Sequence, residues 1–199
     1  MKKIKASILI ANFNNAKYID KCIRSLEIKN LKNIEIIFHD DCSTDNSLEI
    51  INKYKHIKLI KNKVRYKEGS YNQILAYERC FKKSRGEIIF FLDSDDYFKK
   101  NKINSILNYY NNNPDINSIF DLPIIDFNNR KTNINIKKKF YNSTWPYIPP
   151  QSCISMRRKI FPKILKKIKI KKYFNIWMDF RIALYTLFIS SDFFILKKN

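Results

Sequence analysis

The sequence predicts an α/β fold: a mostly parallel sheet flanked by helices, followed by a less regular C-terminal part. Three observations predict it. Over the first hundred residues, short apolar runs alternate with segments of helical periodicity. The runs are continuously apolar, as strands covered on both faces are. Two of them end in clusters of acids, which puts polar chemistry at the strand exits, where parallel sheets bind their ligands.

Residues 7–11 (Ser-Ile-Leu-Ile-Ala) form the first strand. Ile19, Cys22, Ile23 and Leu26 then share one helical face. Residues 34–38 are the second strand, apolar and β-branched. Asn46 with Glu49 three residues on resembles a capping box, which opens a short helix through Tyr54. Residues 57–60 are the third strand, and Ile74, Leu75, Tyr77 and Phe81 mark the next helix, with Gly86 where a C-terminal cap belongs. Residues 88–92, the most apolar strand, precede a helix over 102–110 that Asn-Asn-Asn-Pro closes. Beyond it, 116–125 holds one or two strands and 128–135 is polar and loop-like. The prolines of 145–150 forbid a helix, 157–172 is a basic helix candidate, and 178–188 is an amphipathic one. With no repeat and no clear linker, residues 1–199 read as one domain with an irregular C-terminal part.

Composition narrows the chemistry. The chain has 199 residues, 45% apolar and 15% aromatic, enough for a sizeable core and unlike a disordered chain. It has only two glycines, Gly69 and Gly86, where average usage predicts roughly 14. Neither GxGxxG nor GxxxxGK[ST] can be written, so a bound nucleotide needs something other than a glycine loop to neutralise its phosphates. The formal charge is +21. Codon bias from an AT-rich genome accounts for much of that lysine. It does not account for the stretch between Asp126 and Asp179, which has no acid and carries fourteen Lys and Arg residues between Arg130 and Lys172. Such a field attracts an anion: phosphate, acidic glycan, nucleic acid or a lipid surface. Cys22, Cys42, Cys80 and Cys153 are dispersed and, with His39 and His56, complete no zinc pattern, so reduced thiols in a cytoplasmic protein are expected. The N-terminal apolar run is too short for a signal-peptide core. Residues 182–196 are broken by Ser190, Ser191 and Asp192 and fall short of a span, which leaves peripheral contact with the inner face of an anionic membrane open.

The second strand runs into His39-Asp40-Asp41-Cys42-Ser43-Thr44-Asp45 and the fourth into Asp93-Ser94-Asp95-Asp96. Caps and turns explain Asp45 and Asp96. They do not explain three carboxylates crowding one strand exit, which raise one another's pKa unless a cation neutralises them. Mg²⁺ or Mn²⁺, held by one or two carboxylates plus substrate phosphates, is the natural cation, with Asp95 its ligand.

These segments resemble the family 2 glycosyltransferases of the GT-A fold, strongly over about residues 5–105 and more weakly over 140–196. Ser7 to Asn14 (SILIANFN) looks like the family's opening strand and aromatic-Asn turn. IEIIFHDDCSTD, from Ile34, looks like EIIVVDDGSTD. Gly69-Ser70-Tyr71-Asn72 sits at a Gly-to-Asn loop, and GEIIFFLDSDD, from Gly86, is similar to GEYIAFLDSDD with its DxD motif. The resemblance implies a Rossmann-like sheet and an inverting transfer from a nucleoside diphosphate sugar, UDP foremost, to a hydroxyl of a glycan or lipid-linked glycan such as capsule or lipooligosaccharide. It places Ala11, Asn12 and Phe13 along the base, with Phe13 stacking. Asp41 accepts from the uracil N–H, and Asn72, Asp93 and Ser94 complete the nucleotide set, Asp93 near the ribose. Asp95 ligates Mn²⁺ or Mg²⁺. Asp179, in Trp177-Met178-Asp179-Phe180-Arg181, is the base that takes the acceptor proton, and 150–156 faces donor sugar and acceptor. Cys42 stands where the family has Gly, and Ala11 where Pro or Thr is usual. The alternatives are a haloacid-dehalogenase-like phosphatase with Asp93 as nucleophile, a nucleic-acid binder, and a truncated inactive transferase. Tyr97 stands where the phosphatases carry Thr or Val, and acids in the groove oppose a nucleic-acid backbone.

Overall fold

The computed structural model describes residues 5–27, 33–127, 130–133, 148–173, 175–186, 188 and 193–196. The chain runs β1 (Ala6–Asn12), α1 (Ala16–Ser25), β2 (Ile34–Asp40), α2 (Ser47–Ile51), β3 (Lys58–Lys61), α3 (Gly69–Lys83), β4 (Ile88–Asp93), α4 (Lys102–Asn112), β5 (Ser118–Phe120), β6 (Ile124–Phe127), β7 (Arg130–Asn133), β8 (Ile154–Arg157), α5 (Phe161–Ile168), α6 (Met178–Tyr185) and β9 (Phe193–Ile195). Seven strands form one sheet in the order β3-β2-β1-β4-β8-β5-β9, and β6 and β7 form a separate hairpin. The first four are parallel, with Leu9 opposite Ile37 on one side and Phe91 on the other. β8 runs antiparallel between β4 and β5.

The central strands β1 and β4 are almost continuously apolar because both faces are covered. Ile8, Ile10, Ile36, Phe38, Phe90 and Leu92 pack with Ile19 and Ile23 of α1, Ile51 of α2 and Ile103 and Ile106 of α4. Leu9, Ile37, Ile89 and Phe91 pack on the other face with Ile74 and Tyr77 of α3, Ile164 of α5 and Ile182 of α6. Each such buried side chain contributes roughly 1.5–3 kcal/mol.

Several expectations change. The capping box on α2 does not form, because the Asn46 side chain makes no cap hydrogen bond. Asp45 does that work twice: Oδ1 accepts from the Ser47 N–H at 3.0 Å and Oδ2 from the Ala16 N–H at 2.9 Å, at the starts of α2 and α1. α3 begins at Gly69, earlier than its apolar face shows. Within the loop expected over 128–135, Arg130–Asn133 is a hairpin strand. The basic helix of 157–172 shrinks to Phe161–Ile168, because 154–157 is strand β8 and a 3-10 turn follows at Lys171–Tyr173. The last helix is α-helical over Met178–Tyr185, and Thr186 and Phe188 beyond it are π-helical. Lys137, Lys138, Lys139, the Trp145-Pro146-Tyr147 segment and Ser190 to Asp192 lie outside the described residues.

Gly86 is not a left-handed cap, since no glycine has positive φ. It is needed for a close approach. A Cβ there would stand 2.3 Å from the Ala6 carbonyl carbon and 2.4 Å from the Ser7 nitrogen, both backbone atoms. The Gly86 N–H donates to Ser7 Oγ at 2.8 Å, and that hydroxyl donates to Glu35 Oε1 at 2.6 Å, so one buried serine links the approach to β4 with β1 and β2. A Cβ on Gly69 would meet only the Trp177 ring, at an ordinary 3.4 Å. Gly86→Ala is therefore expected to destabilise by about 3 kcal/mol or more, and Gly69→Ala to leave the urea midpoint close to wild type. Equal midpoints for the two variants would refute the close-approach role.

His39 is buried on β2, with Nε2 3.3 Å from Arg79 Nη1. Burial first, and then the Arg79 charge, push its pKa down to about 4, against the pull of Asp41 and Asp40. The unfolded imidazole titrates near 6.5, so on acidification the unfolded chain takes up the proton first and stability falls. Between about pH 7.5 and about pH 5 the loss from this group is about 2 kcal/mol. Urea unfolding of His39→Gln at the two pH values, subtracted from wild type, should show that difference. Parallel pH profiles would refute it.

Candidate active site

The loops leaving β1 and β2 are joined by side chains. Asn12, at the end of β1, donates from Nδ2 to Asp40 Oδ1 at 2.9 Å and to Ser43 Oγ at 3.0 Å. Asp40 Oδ2 accepts the Ser43 N–H at 3.0 Å. Ser43 Oγ in turn accepts the Asn14 N–H, and Asn14 Oδ1 accepts the Thr44 N–H at 2.8 Å. Asn14 and Cys42 both have positive φ, 54° and 65°. Cys42 thus adopts the left-handed turn that glycine favours and that costs other residues roughly 1–2 kcal/mol, so the substitution keeps the turn and strains it.

Beside this junction, at the carboxyl ends of β1, β2 and β4, is a cleft of about 260 Å³. Ala11, Asn12, Phe13, Asp41, Asn72, Asp93 and Asp95 all line it, which brings seven of the predicted site residues together. Arg65, Gln73 and Trp177 line it too, and sequence reading singled out none of them as site residues. Arg65 is central. Its guanidinium lies 3.6 Å over the Phe13 ring, and its Nε is 3.0 Å from Asp41 Oδ2. Asp41 Oδ1 accepts from Asn62 Nδ2 at 2.6 Å. Asp41 is therefore held by one hydrogen bond, from Asn62, and by an ion pair with Arg65. One Phe13 face carries a cation, so an aromatic ligand stacking on that face has to displace or sandwich Arg65. Arg65 was missed because it sits in a polar stretch with no periodicity around it.

Two predicted residues do structural work as well or instead. Asn72, on the first turn of α3, uses its whole amide on the Tyr66 backbone, accepting from N–H at 3.0 Å and donating to C=O at 2.7 Å. Ser94 is fully buried and does not line the cleft; its Oγ accepts from Asn15 Nδ2 at 2.9 Å and its N–H donates to Ala11 C=O.

The acids after β4 differ in environment. Asp93 accepts from Tyr77 Oη at 2.8 Å and from Gln73 Nε2 at 3.2 Å. Its N–H donates to Ser152 Oγ at 3.0 Å, so the 150–156 segment buttresses the end of β4. Burial raises the Asp93 pKa to about 7, with Asp96 and Asp95 adding to the shift and Tyr77 opposing it. Asp95 is exposed at the mouth of the cleft, yet the walls crowd its carboxylate enough that partial loss of solvent first, then the charge of Asp96, raises its pKa as well. Burial therefore outweighs the mutual repulsion expected from the sequence. Among the described residues no three potential ligands form a metal cage. An exposed carboxylate beside another acid fits an ion that takes few protein ligands and completes its shell with phosphate oxygens.

Asp179 is not part of the cleft wall; Trp177, two residues earlier, is. The start of α6 is tied to the acids through Gln73, whose Oε1 accepts the Met178 N–H at 3.4 Å while its Nε2 serves Asp93. Asp179 is half-buried in the first turn of α6, and that burial raises its pKa.

A parallel sheet with an acid-lined cleft across its strand exits defines a protein of GT-A architecture. The chain belongs to the glycosyl transferase family 2, whose model matches residues 7–179. It is 28% identical over 198 residues to an uncharacterized glycosyltransferase of a Nostoc species, covering 94% of this chain and 60% of that protein. It is 39% identical over 103 residues to the Escherichia coli UDP-Glc:alpha-D-GlcNAc-diphosphoundecaprenol beta-1,3-glucosyltransferase WfaP, covering 52% of this chain and 40% of that protein. The Staphylococcus aureus TarS structure in complex with UDP-GlcNAc superposes with a TM-score of 0.71 at 18% identity, over 98% of this chain and 56% of that one. The chain thus spans about half the length of these relatives. The phosphatase alternative falls with the family match.

Proposed function

We propose that this protein is an inverting, metal-dependent glycosyltransferase that moves a sugar from a UDP-sugar to a hydroxyl of a surface glycan or lipid-linked glycan. One observation carries the reading: Phe13, Asp41, Asp93 and Asp95 converge on a single cleft in a chain of this family. The TarS complex with UDP-GlcNAc supports the choice of donor, and a mannosyltransferase of the same fold in complex with GDP-Man and Mn²⁺ supports a metal. In this reading Phe13 carries the base, with Arg65 and Asp41 at its polar edge, and Asp93 faces the ribose. Asp95 holds Mn²⁺ or Mg²⁺, which when bound neutralises the diphosphate. The acceptor oxygen bonds to the anomeric carbon on the face opposite the diphosphate. The anomeric C–O bond breaks, its electron pair leaves with UDP, and the hydroxyl proton passes to Asp179. A carboxylate whose pKa burial has raised suits that task. Residues up to about 110 bind the nucleotide and later ones the acceptor, within one domain. Free thiols at Cys22, Cys42, Cys80 and Cys153 support a cytoplasmic setting. Among the described residues no helix is long and apolar enough to cross a membrane.

In a thermal-shift titration, UDP is expected to stabilise the protein more with Mn²⁺ than with chelator. Asp95→Asn should lose most of that difference while keeping its own melting temperature. Identical UDP affinity with metal and with chelator would refute the metal role.

Asp179→Asn keeps shape and removes basicity. Nucleotide binding should persist while turnover falls about 10²–10⁴-fold, whereas Asp41→Asn should mainly weaken donor binding. Near-normal turnover of Asp179→Asn would place the base elsewhere.

A further inference from the structure

The α5–α6 corner carries a surface that the transfer chemistry does not use. α5 is sharply two-sided: Phe161, Ile164, Leu165 and Ile168 are buried, and Lys163, Lys166 and Lys167 are exposed on the opposite face. The turn after it adds Lys171 and Lys172. Lys169 and Lys171 have acidic partners, Glu78 at 2.6 Å and Glu68 at 3.9 Å. Lys163, Lys166, Lys167 and Lys172 have no carboxylate within ion-pair distance among the described residues. No acid occurs anywhere between Asp126 and Asp179 to offset them.

Cations alone would suit any polyanion. The same corner, however, exposes apolar side chains: Ile170 is 42% exposed, Tyr173 50% and Trp177 53%. They are not there because the turn is loose. The buried Arg181 guanidinium donates to the backbone carbonyls of Ile168 at 2.5 Å, Ile170 at 2.8 Å, Ile176 at 2.8 Å and Tyr173. One side chain thus pins the turn that presents Ile170 and Tyr173. Lysines interleaved with an aliphatic and two aromatic side chains match the interface of an anionic bilayer, where cations meet headgroups and apolar or amphipathic rings enter the boundary region.

We propose that the outer face of α5 and the turn to Trp177 dock on an anionic lipid bilayer. Soluble polyanions are the lesser fit, because they leave Ile170 and Tyr173 without a partner. Trp177 belongs both to this surface and to the wall of the Asp95 cleft, so docking brings the cleft to the membrane plane. That last consequence rests on the glycosyl-transfer reading, and the docking itself does not.

The test uses the full chain with vesicles of phosphatidylcholine alone or mixed with phosphatidylglycerol. Sedimentation should show binding to the mixed vesicles only, weakening as salt rises. Lys166→Gln with Lys167→Gln should lower the partition constant about 30-fold, or about fivefold per lysine. Ile170→Ser with Tyr173→Ser should abolish the binding that survives high salt. In a Trp145→Phe background, Trp177 emission should shift to the blue on mixed vesicles, a readout that needs no change in the corner. Equal binding to both vesicle types, or unchanged binding of the double lysine variant, overturns the proposal. So does binding to mixed vesicles with no Trp177 shift and no effect of the Ile170 and Tyr173 substitutions, which would mark a site for soluble polyanions. UDP thermal shifts on each variant report the nucleotide cleft separately. Their loss in wild type would strike the transferase reading and leave the docking untouched.

Discussion

The buried hydrogen bond between Asn12 and Asp40, 2.9 Å long, holds the carboxyl ends of β1 and β2 at one height. The Phe13 and Asp41 side of the cleft depends on it. Phe13 follows Asn12 directly and Asp41 follows Asp40, so ring and carboxylate meet only if the two strand ends stay in register. The sheet pairs Asn12 with Asp40, but a strand end frays unless its last polar groups are satisfied. Here Asn12 bonds to Asp40 and Ser43, Asp40 to Ser43, Ser43 to Asn14, and Asn14 to Thr44. The Asn12–Asp40 bond at the centre of this network is buried while its Asn14 and Thr44 ends are exposed, so removal of Asn12 or Asp40 leaves its partner short of a hydrogen bond in a medium of low dielectric.

The exit of β4 works by contrast between two acids two residues apart. Asp93 is turned toward Tyr77 and Gln73 and pays for its burial with a pKa near 7. Asp95 stays on the cleft surface beside Asp96. One strand end therefore presents a carboxylate enclosed by hydrogen-bond donors and another that is open to a cation. Gln73 connects this pair to the start of α6, so the acids and the Trp177–Asp179 segment are positioned by one amide from α3.

Much of this was legible because short-range rules set it. β1, β2 and β4 carry near-continuous apolar runs, the pattern that burial on both faces demands, while the edge strand β3 keeps exposed lysines at its ends. The acids stood out because a charged cluster after an apolar run has few purely structural uses. What escaped notice was set by distant partners. β8 is four residues long and exists only because β4 and β5 offer it edges on both sides. Arg65 lies in a stretch without periodicity and gains meaning only when it reaches Phe13 and Asp41. Asn72 carries the residue type expected of a ligand contact, yet its amide is spent on the Tyr66 backbone. Asp45, expected as a cap, serves two helices, and only the meeting of the β1 and β2 loops makes that possible.

The close approach at Gly86 bears on how this chain can drift. Only two glycines occur in the chain. Three positions differ in what a side chain would meet. At Cys42 a bulkier residue already occupies a left-handed turn. At Gly69 a methyl group would find ordinary room against Trp177. At Gly86 the backbone of β1 leaves none. Natural variants of this chain are therefore expected to shed Gly69 and retain Gly86, so that mutational pressure stops where two backbones touch.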